Sequence, residues 1–272
     1  MESGRVRYIA ALPMYDWPER RSEVDGEWAA IRDRMRAHGI DAPEHLTRRN
    51  ADMPAVPGGI FDEHGTLIAP DPATLPAEEF DPPTLWRHPA LLFGQTCWGP
   101  MERGLMRHVA VIGQPDYGGV DGCAGPFYSS AIVIRRTDAP AGSARKAPTE
   151  GDAVIPLECL RGSRFAFNSL DSLSGYLALK RDLERLHTDL SLFGDLIEAG
   201  SHRASIRAVA DGLADVAAVD ARSWQLARRY EPAARHLVPV GWTSHRKGLP
   251  FICALGLRDL APLALPSPKL PR

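Results

Sequence analysis

Several things are scarce in this sequence, and each scarcity narrows what the chain does. Only four cysteines occur in 272 residues, Cys97, Cys123, Cys159 and Cys253. They lie far apart with no Cys-x-x-Cys or Cys/His ligand spacing, which argues against a disulfide framework and a structural zinc site and predicts free thiols. No stretch approaches the roughly 18 apolar residues needed to span a bilayer, so no membrane insertion is expected. An excess of one charge is missing too. Lysine plus arginine number 32 against 34 aspartates and glutamates, a formal net charge of −2, and the basic residues are scattered. That pattern offers no electrostatic footprint for nucleic acid. Also missing are Gly-x-Ser-x-Gly, the phosphate-binding Gly-x-x-x-x-Gly-Lys loop and His-Glu-x-x-His, so no dedicated nucleophile or metal motif is present and no cofactor is expected.

The segment from Met1 to Trp17 has neither a secretory apolar region nor an Ala-x-Ala cleavage site, which as written predicts a cytoplasmic protein. A methionine standing in for a removed signal would read identically, and the protein would then be periplasmic.

What is present is ample core material. Hydrophobic residues make up 44% of the chain, enough for one large or two small domains. Short apolar runs alternate with helical patterns, as in α/β folds. Val6 to Leu12 reads as a strand, with a helix from about Val24 to His38 closed by Gly39. Residues 50 to 87 are proline-rich and irregular, with a hairpin suggested in GGIFDEHGTLIAP. Strands are expected over 90–97, 108–113, 126–136, 165–167, 214–219, 237–242 and 250–255. Helices are expected over about 175–188, 202–212 and 222–230, and the proline-rich C-terminal tail reads as an irregular wrap.

The densest signal is FAFNSLDSLSGYLALKRDLERL. A short strand leads into a turn rich in hydroxyls, and a helix starts near Ser174 and Gly175. A helix start presents unpaired N–H groups and the positive end of the dipole, and Ser169, Ser172 and Ser174 add hydroxyls able to wrap a small anion. An ordinary serine cap on an amphipathic helix accounts for the same residues. Some thirty residues later come Gly200-Ser201-His202, Ala208-Val209-Ala210-Asp211-Gly212 and Ala214-Asp215-Val216-Ala217-Ala218-Val219-Asp220.

In order and spacing these motifs resemble the substrate-binding components of phosphate and phosphonate ABC transporters, the PhnD-like branch of type 2 periplasmic binding proteins. The likeness covers roughly residues 125 to 260, and more diffusely the N-terminal part. That family often carries threonine between its two serines; here Leu173 removes that hydroxyl and leaves its backbone N–H. The family is also normally exported. The resemblance implies an α/β, two-lobed type 2 periplasmic binding protein fold, with a ligand cleft between lobes joined by two crossing strands near Tyr128–Ser130 and Val219–Arg222. Lobe 1 would comprise residues 1–128 and 222–272, and lobe 2 residues 129–221.

On the positional analogy the ligand-binding candidates are Tyr15, Thr96, Cys97, Trp98, Tyr128, Ser129, Ser172, Leu173, Ser174, Gly175, His202 and Asp220. Each has a plainer reading. Tyr15 could pack as a lid, Trp98 could wedge the turn at Gly99-Pro100, and alternate side chains at 128 and 129 must point into a core. His202 is ill placed for the dipole when charged, which suggests an anion partner, although a lone surface histidine is common. Asp220 ends an apolar strand and could accept from an amino group or a protonated oxyanion. Asp215 reads as a strand-start residue facing solvent.

Two functions follow. One is a non-catalytic solute-binding protein that closes on phosphate, phosphonate, phosphite or a related oxyanion by hinge bending, with an ABC permease as a possible partner. The other is a cytosolic enzyme on the same fold, similar to menaquinone-pathway dehydratases or thiamine-precursor synthases, with Asp220 or His202 as general acid or base.

Overall fold

Leu91–Phe93 and Ala131–Ile134 are continuous apolar runs, and both become strands whose residues are wholly buried, the pattern of sheets covered on both faces. Residues 7 to 260 are described by a computed structural model. In chain order the strands of the two main sheets are β1 (Ile9–Ala11), β2 (Leu91–Gln95), β3 (Val109–Gly113), β4 (Ser130–Arg135), β5 (Arg164–Phe167), β6 (Asp195–Glu198), β7 (Val216–Asp220), β8 (Leu237–Trp242) and β9 (Phe251–Ala254). The longer helices are α1 (Arg21–Ala37), α2 (Ala178–Arg185), α3 (His202–Ala210) and α4 (Ala221–Tyr230).

The chain divides into two compact units. The first holds the residues up to Thr96, Pro100–Gln114 and those from Leu249 onward, around a sheet of order β1-β2-β9-β3. Helix α1 buries Val24, Trp28 and Met35, spaced to share one face. Trp28 meets Phe93 at 6.0 Å between ring centres, and Phe93 meets Phe251 at 5.0 Å. The helix starts three residues earlier than the apolar spacing predicts, because buried Arg20 binds Glu23 and Glu27 across its first turns. It ends where Gly39 takes φ +78°, a left-handed conformation that glycine adopts without a Cβ penalty. The hairpin expected in the proline-rich stretch is a two-stranded ribbon of Ile60–Phe61 with Leu67–Ala69. Most of the proline-rich tail lies outside the described residues.

The second unit holds Cys97–Gly99 and Pro115–Gly248. Its five-stranded sheet runs β6-β5-β7-β4-β8, with β4 antiparallel to both neighbours and the rest parallel. On one side Phe165 stacks on Phe193 at 4.7 Å within a core that includes Leu179, Leu183, Val216 and Ile132. Residues 222–248, assigned from the sequence to the first lobe, belong here, because β8 pairs with β4 along its length. Strand β6 has no counterpart among the sequence expectations. It is an edge strand that pairs with β5 alone and leaves three of its four residues exposed, so it carries neither an apolar run nor a buried alternation. Asp215 also departs from its expected role as a solvent-facing residue. It is half-buried and paired with Arg164 and Arg135, and the Arg164 guanidinium bonded to it holds its carboxyl well below the usual range.

Helix α2 carries a buried carboxylate on its core face. Asp182 is 1% exposed and accepts the Ser244 amide at 2.8 Å, the Ser244 hydroxyl at 2.7 Å and Arg246 Nη2 at 2.7 Å. It thereby ties the helix to the segment after β8. Removing one partner of a buried pair strands the other charge. Asp182→Ala is expected to lower unfolding free energy by about 3 kcal/mol in urea titration; a loss below about 1 kcal/mol would show that the segment does not depend on this anchor.

Candidate functional site

The hydroxyl-rich turn after β5 opens a helix, as its composition suggests, but the first turn is wider than an α-turn. Leu173–Leu177 is a π-helix, continuous with α2. The Ser172 carbonyl accepts both the Tyr176 amide at 3.2 Å and the Leu177 amide at 3.0 Å. Ser172 is the N-cap, its Oγ accepting the Gly175 amide at 3.0 Å. Position 175 admits no side chain: a Cβ there would sit 1.6 Å from Asn168 Oδ1. Wide turns of this kind recur at functional sites.

Ser174 is the junction of the cluster. Its carbonyl accepts the Ser130 hydroxyl at 2.9 Å, and its own Oγ lies 2.9 Å from His202 Nε2. His202 is the first residue of α3, whose cap Ser201 accepts the Ala204 amide at 3.1 Å. Asp220 closes β7 and caps α4, with Oδ1 accepting the Ser223 amide at 2.8 Å and Oδ2 lying 3.2 Å from the same His202 Nε2. Three turns distant in sequence therefore converge on one imidazole nitrogen. Burial pushes the His202 pKa down, outweighing the Asp220 carboxylate and the Ala218 carbonyl, which both favour the charged ring. The ring is neutral at pH 7, with Nε2 set between the Asp220 carboxylate and the Ser174 hydroxyl. Nδ1 has no hydrogen-bond partner among the described residues.

Two further buried atoms near this turn are in the same position. The Tyr128 hydroxyl and Asn168 Oδ1 also lack hydrogen-bond partners among the described residues. Tyr128 stacks on Tyr117 at 5.8 Å, and burial pushes its phenol pKa well up. The nearby Ser174 hydroxyl exerts a weak opposing pull and makes no bond of proper geometry. Buried polar atoms are ordinarily paired; of the unpaired ones here, Asn168 Oδ1 lies against Gly175 and the Tyr128 hydroxyl near Ser174.

The remaining candidates are placed as follows. Cys97 is buried with its sulfur accepting the Leu173 amide at 3.4 Å, and burial pushes the thiol pKa up. The indole of Trp98 donates to the Gly248 carbonyl at 2.7 Å, so its N–H is engaged by backbone. Ser129 is buried and its hydroxyl donates to the Gly122 carbonyl at 2.7 Å. Tyr15 and Thr96 belong to the first unit. Tyr15 ends a 3-10 turn after β1, half-buried, its carbonyl bonded by Arg20 at 3.1 Å. Thr96 follows β2, fully buried, and its hydroxyl has no partner among the described residues. Sequence reasoning missed Ser130 and Asn168. Ser130 carried a readable signal, a hydroxyl opening an otherwise apolar strand, whereas Asn168 looks like one more turn residue. Among the described residues no group of His, Cys, Asp or Glu is arranged to hold a metal ion.

Comparison with known proteins gives a consistent result. The profile of the family described as the periplasmic substrate-binding protein of phosphonate ABC transporters matches residues 108–256. No curated protein sequence matches the chain. Among solved structures, PhnD1 of Prochlorococcus marinus in complex with methylphosphonate superposes with a TM-score of 0.58 at 15% identity, covering 96% of this chain and 82% of that one. A binding-protein component of a phosphonate ABC transporter from Pseudomonas aeruginosa gives 0.56 at 16%, covering 94% and 71%. A Xanthomonas citri protein bound to ATP gives 0.56 at 15%, covering 96% and 82%. At these identities the superpositions establish the fold, which is the type 2 periplasmic binding protein fold anticipated from the motifs.

The depressed His202 pKa has a consequence for stability. In the window between the lowered native value and the ordinary value of about 6.5, the unfolded chain binds a proton that native His202 does not. Stability contributed by neutral His202 is therefore complete above about pH 6.5 and falls as pH drops through that window. His202→Gln is expected to flatten the fall in unfolding free energy between neutral pH and about pH 5.5, measured by urea titration. The other histidines with depressed values, His88 and His108, act equally in both proteins. Identical slopes would show that His202 is not the group responsible.

Proposed function

The chain belongs to the family of periplasmic substrate-binding proteins of phosphonate ABC transporters, and from that premise we propose that it holds a small oxyanion of the phosphonate class at the start of the Leu173–Leu177 helix. The observation that carries this reading is the convergence of Ser174, His202 and Asp220 at that helix start. Because Ser172 Oγ already accepts the Gly175 amide, its proton is available to a ligand. So is that of Ser174 when His202 presents Nε2–H. These hydroxyls and the dipole of the continuous helix give an anion neutral donors. Asp220 supplies an acceptor for a protonated ligand oxygen or an amino group, which favours a monoprotonated or zwitterionic oxyanion over a fully charged one. Tyr128 and Asn168 complete the wall.

The same nitrogen supports binding over a serine-nucleophile chemistry. In a serine–histidine–carboxylate relay the acid holds Nδ1–H so that Nε2 can take the serine proton. Here Asp220 and Ser174 both meet Nε2, so Asp220 does not hold Nδ1–H as that relay requires. The family's role in ABC transport supports a permease partner and a periplasmic site of action.

Hydrogen bonds to charged groups contribute about 1.5 to 3 kcal/mol each. Ser174→Ala is accordingly expected to weaken methylphosphonate binding by roughly tenfold or more in isothermal titration calorimetry. Unchanged affinity would move the site away from this helix start. Methylphosphonate held by the wild type through a prolonged incubation is expected to be recovered intact by phosphorus NMR. A new phosphorus species formed by the wild type and absent with Asp220→Asn would replace the binding reading with an enzymatic one.

A further inference from the structure

The second unit contains a cavity that shares no lining residue with the Ser174–His202–Asp220 cluster. It measures about 650 Å³ and lies between the strap of residues 145–149, the loop at residues 120–123, helix α4 and strand β8. This is within the range of small-molecule sites.

Its lining combines cations with an apolar floor. Arg145 and Lys146 come from the strap and Arg228 from α4, against Trp224 and Trp242. The cations are poorly neutralised. Lys146 has no hydrogen-bond or ion-pair partner among the described residues, and Arg145 donates to the Gly142 carbonyl at 2.7 Å with no carboxylate in ion-pair reach. Arg228 stands 3.8 Å from Asp121, both largely exposed, a contact that contributes little. Three exposed cations with one weak counter-charge line the mouth of this cavity and give it a positive potential that salt screens.

The walls are built rather than incidental. The Arg145 amide donates to the Pro239 carbonyl at 2.8 Å, and the Trp242 indole donates to the Arg145 carbonyl at 3.1 Å. The strap carrying the cations is thus fastened to β8 on both sides of Arg145. Opposite it, Gly122 has φ +83° and lies so close that a Cβ would stand 2.5 Å from the Trp242 ring, which presses the 120–123 loop onto the same indole.

We propose that this cavity is a second anion site, taking a small phosphorylated molecule with at least two negative charges. The forked guanidinium groups of Arg145 and Arg228 would match phosphate oxygens, and Lys146 would serve as a point charge. The reading is independent of the oxyanion site at Ser174.

The test uses inorganic pyrophosphate as probe, titrated calorimetrically at low salt into the full chain. Wild type is expected to bind it, with affinity falling as salt rises. The double variant Arg145→Ala, Lys146→Ala should lose roughly tenfold or more, while Arg145→Lys with Lys146→Arg retains most of the affinity. Ser174→Ala should leave pyrophosphate binding within about twofold, although it weakens methylphosphonate. Circular dichroism melts of each variant establish that it is folded. Absence of pyrophosphate heat in the wild type, equal affinity in the double alanine variant, or loss of affinity in Ser174→Ala alone would each overturn the second site.

Discussion

Ser130 and Asp220 stand opposite each other across the antiparallel β4–β7 pair, and the arrangement at the helix start depends on that register. Side chains alternate between the faces of a strand, so opposed residues project on the same side. A slip of one residue would send Asp220 to the other face. With the register held, the Ser130 hydroxyl fixes the Ser174 carbonyl, while Asp220 caps α4 and reaches the imidazole at the head of α3. The register is reinforced from the other edge of β4, where Ser130 donates its amide to Thr243 Oγ1 at 2.8 Å and accepts the Thr243 amide at 2.9 Å. Three helix starts are thus referred to one strand pair.

Burial sets the chemistry of what that register gathers. Surface pairs such as Arg49–Glu78, in which both side chains are about half exposed or more, contribute between about 0 and 1 kcal/mol. An unpaired buried polar atom costs about 1 to 3 kcal/mol. The Tyr128 hydroxyl, Asn168 Oδ1 and His202 Nδ1 therefore weigh more in the energetics of this region than many surface ion pairs. On the binding reading, that cost is carried by the fold before the ligand arrives and is recovered when the ligand supplies partners.

The parts of the fold legible in the sequence are those whose burial is continuous. Strands β2, β7 and β8 are apolar runs and lie close to their expected bounds, whereas the strand expected over 126–136 is split, Phe127–Tyr128 pairing in a separate small sheet and β4 beginning at Ser130. Helices α3 and α4 begin at residues whose capping chemistry is visible, Ser201 and Asp220. Strand β6 was not legible because its residues are mostly exposed and only hydrogen bonding to β5 makes it a strand. The extent of the second unit was not legible either, because it follows from which strand β8 pairs with, a long-range choice that local pattern does not encode. The serine-rich turn and the motifs around His202 and Asp220 are segments that the structure brings together. That Ser174 and Asp220 would meet the same imidazole nitrogen is a property of tertiary geometry.

Leu173 shows how a single departure from the family pattern is absorbed. Where the family often has a hydroxyl, this chain places a side chain 2% exposed, and the adjacent amide is bonded by the Cys97 sulfur. A neutral thiol, kept protonated by burial, is a weak acceptor. The contact satisfies the amide cheaply and draws the Cys97–Gly99 segment against the turn, so closely that a Cβ on Gly99 would stand 1.6 Å from the Asp171 carbonyl. On the proposed binding reading, an anion would meet the pair of hydroxyls on Ser172 and Ser174, backed by a neutral imidazole and opposed by the Asp220 carboxylate. A donor set that small, facing an acceptor of negative charge, disfavours a dianion that would need many donors and no carboxylate neighbour. It fits an oxyanion that brings a proton or an amino group of its own.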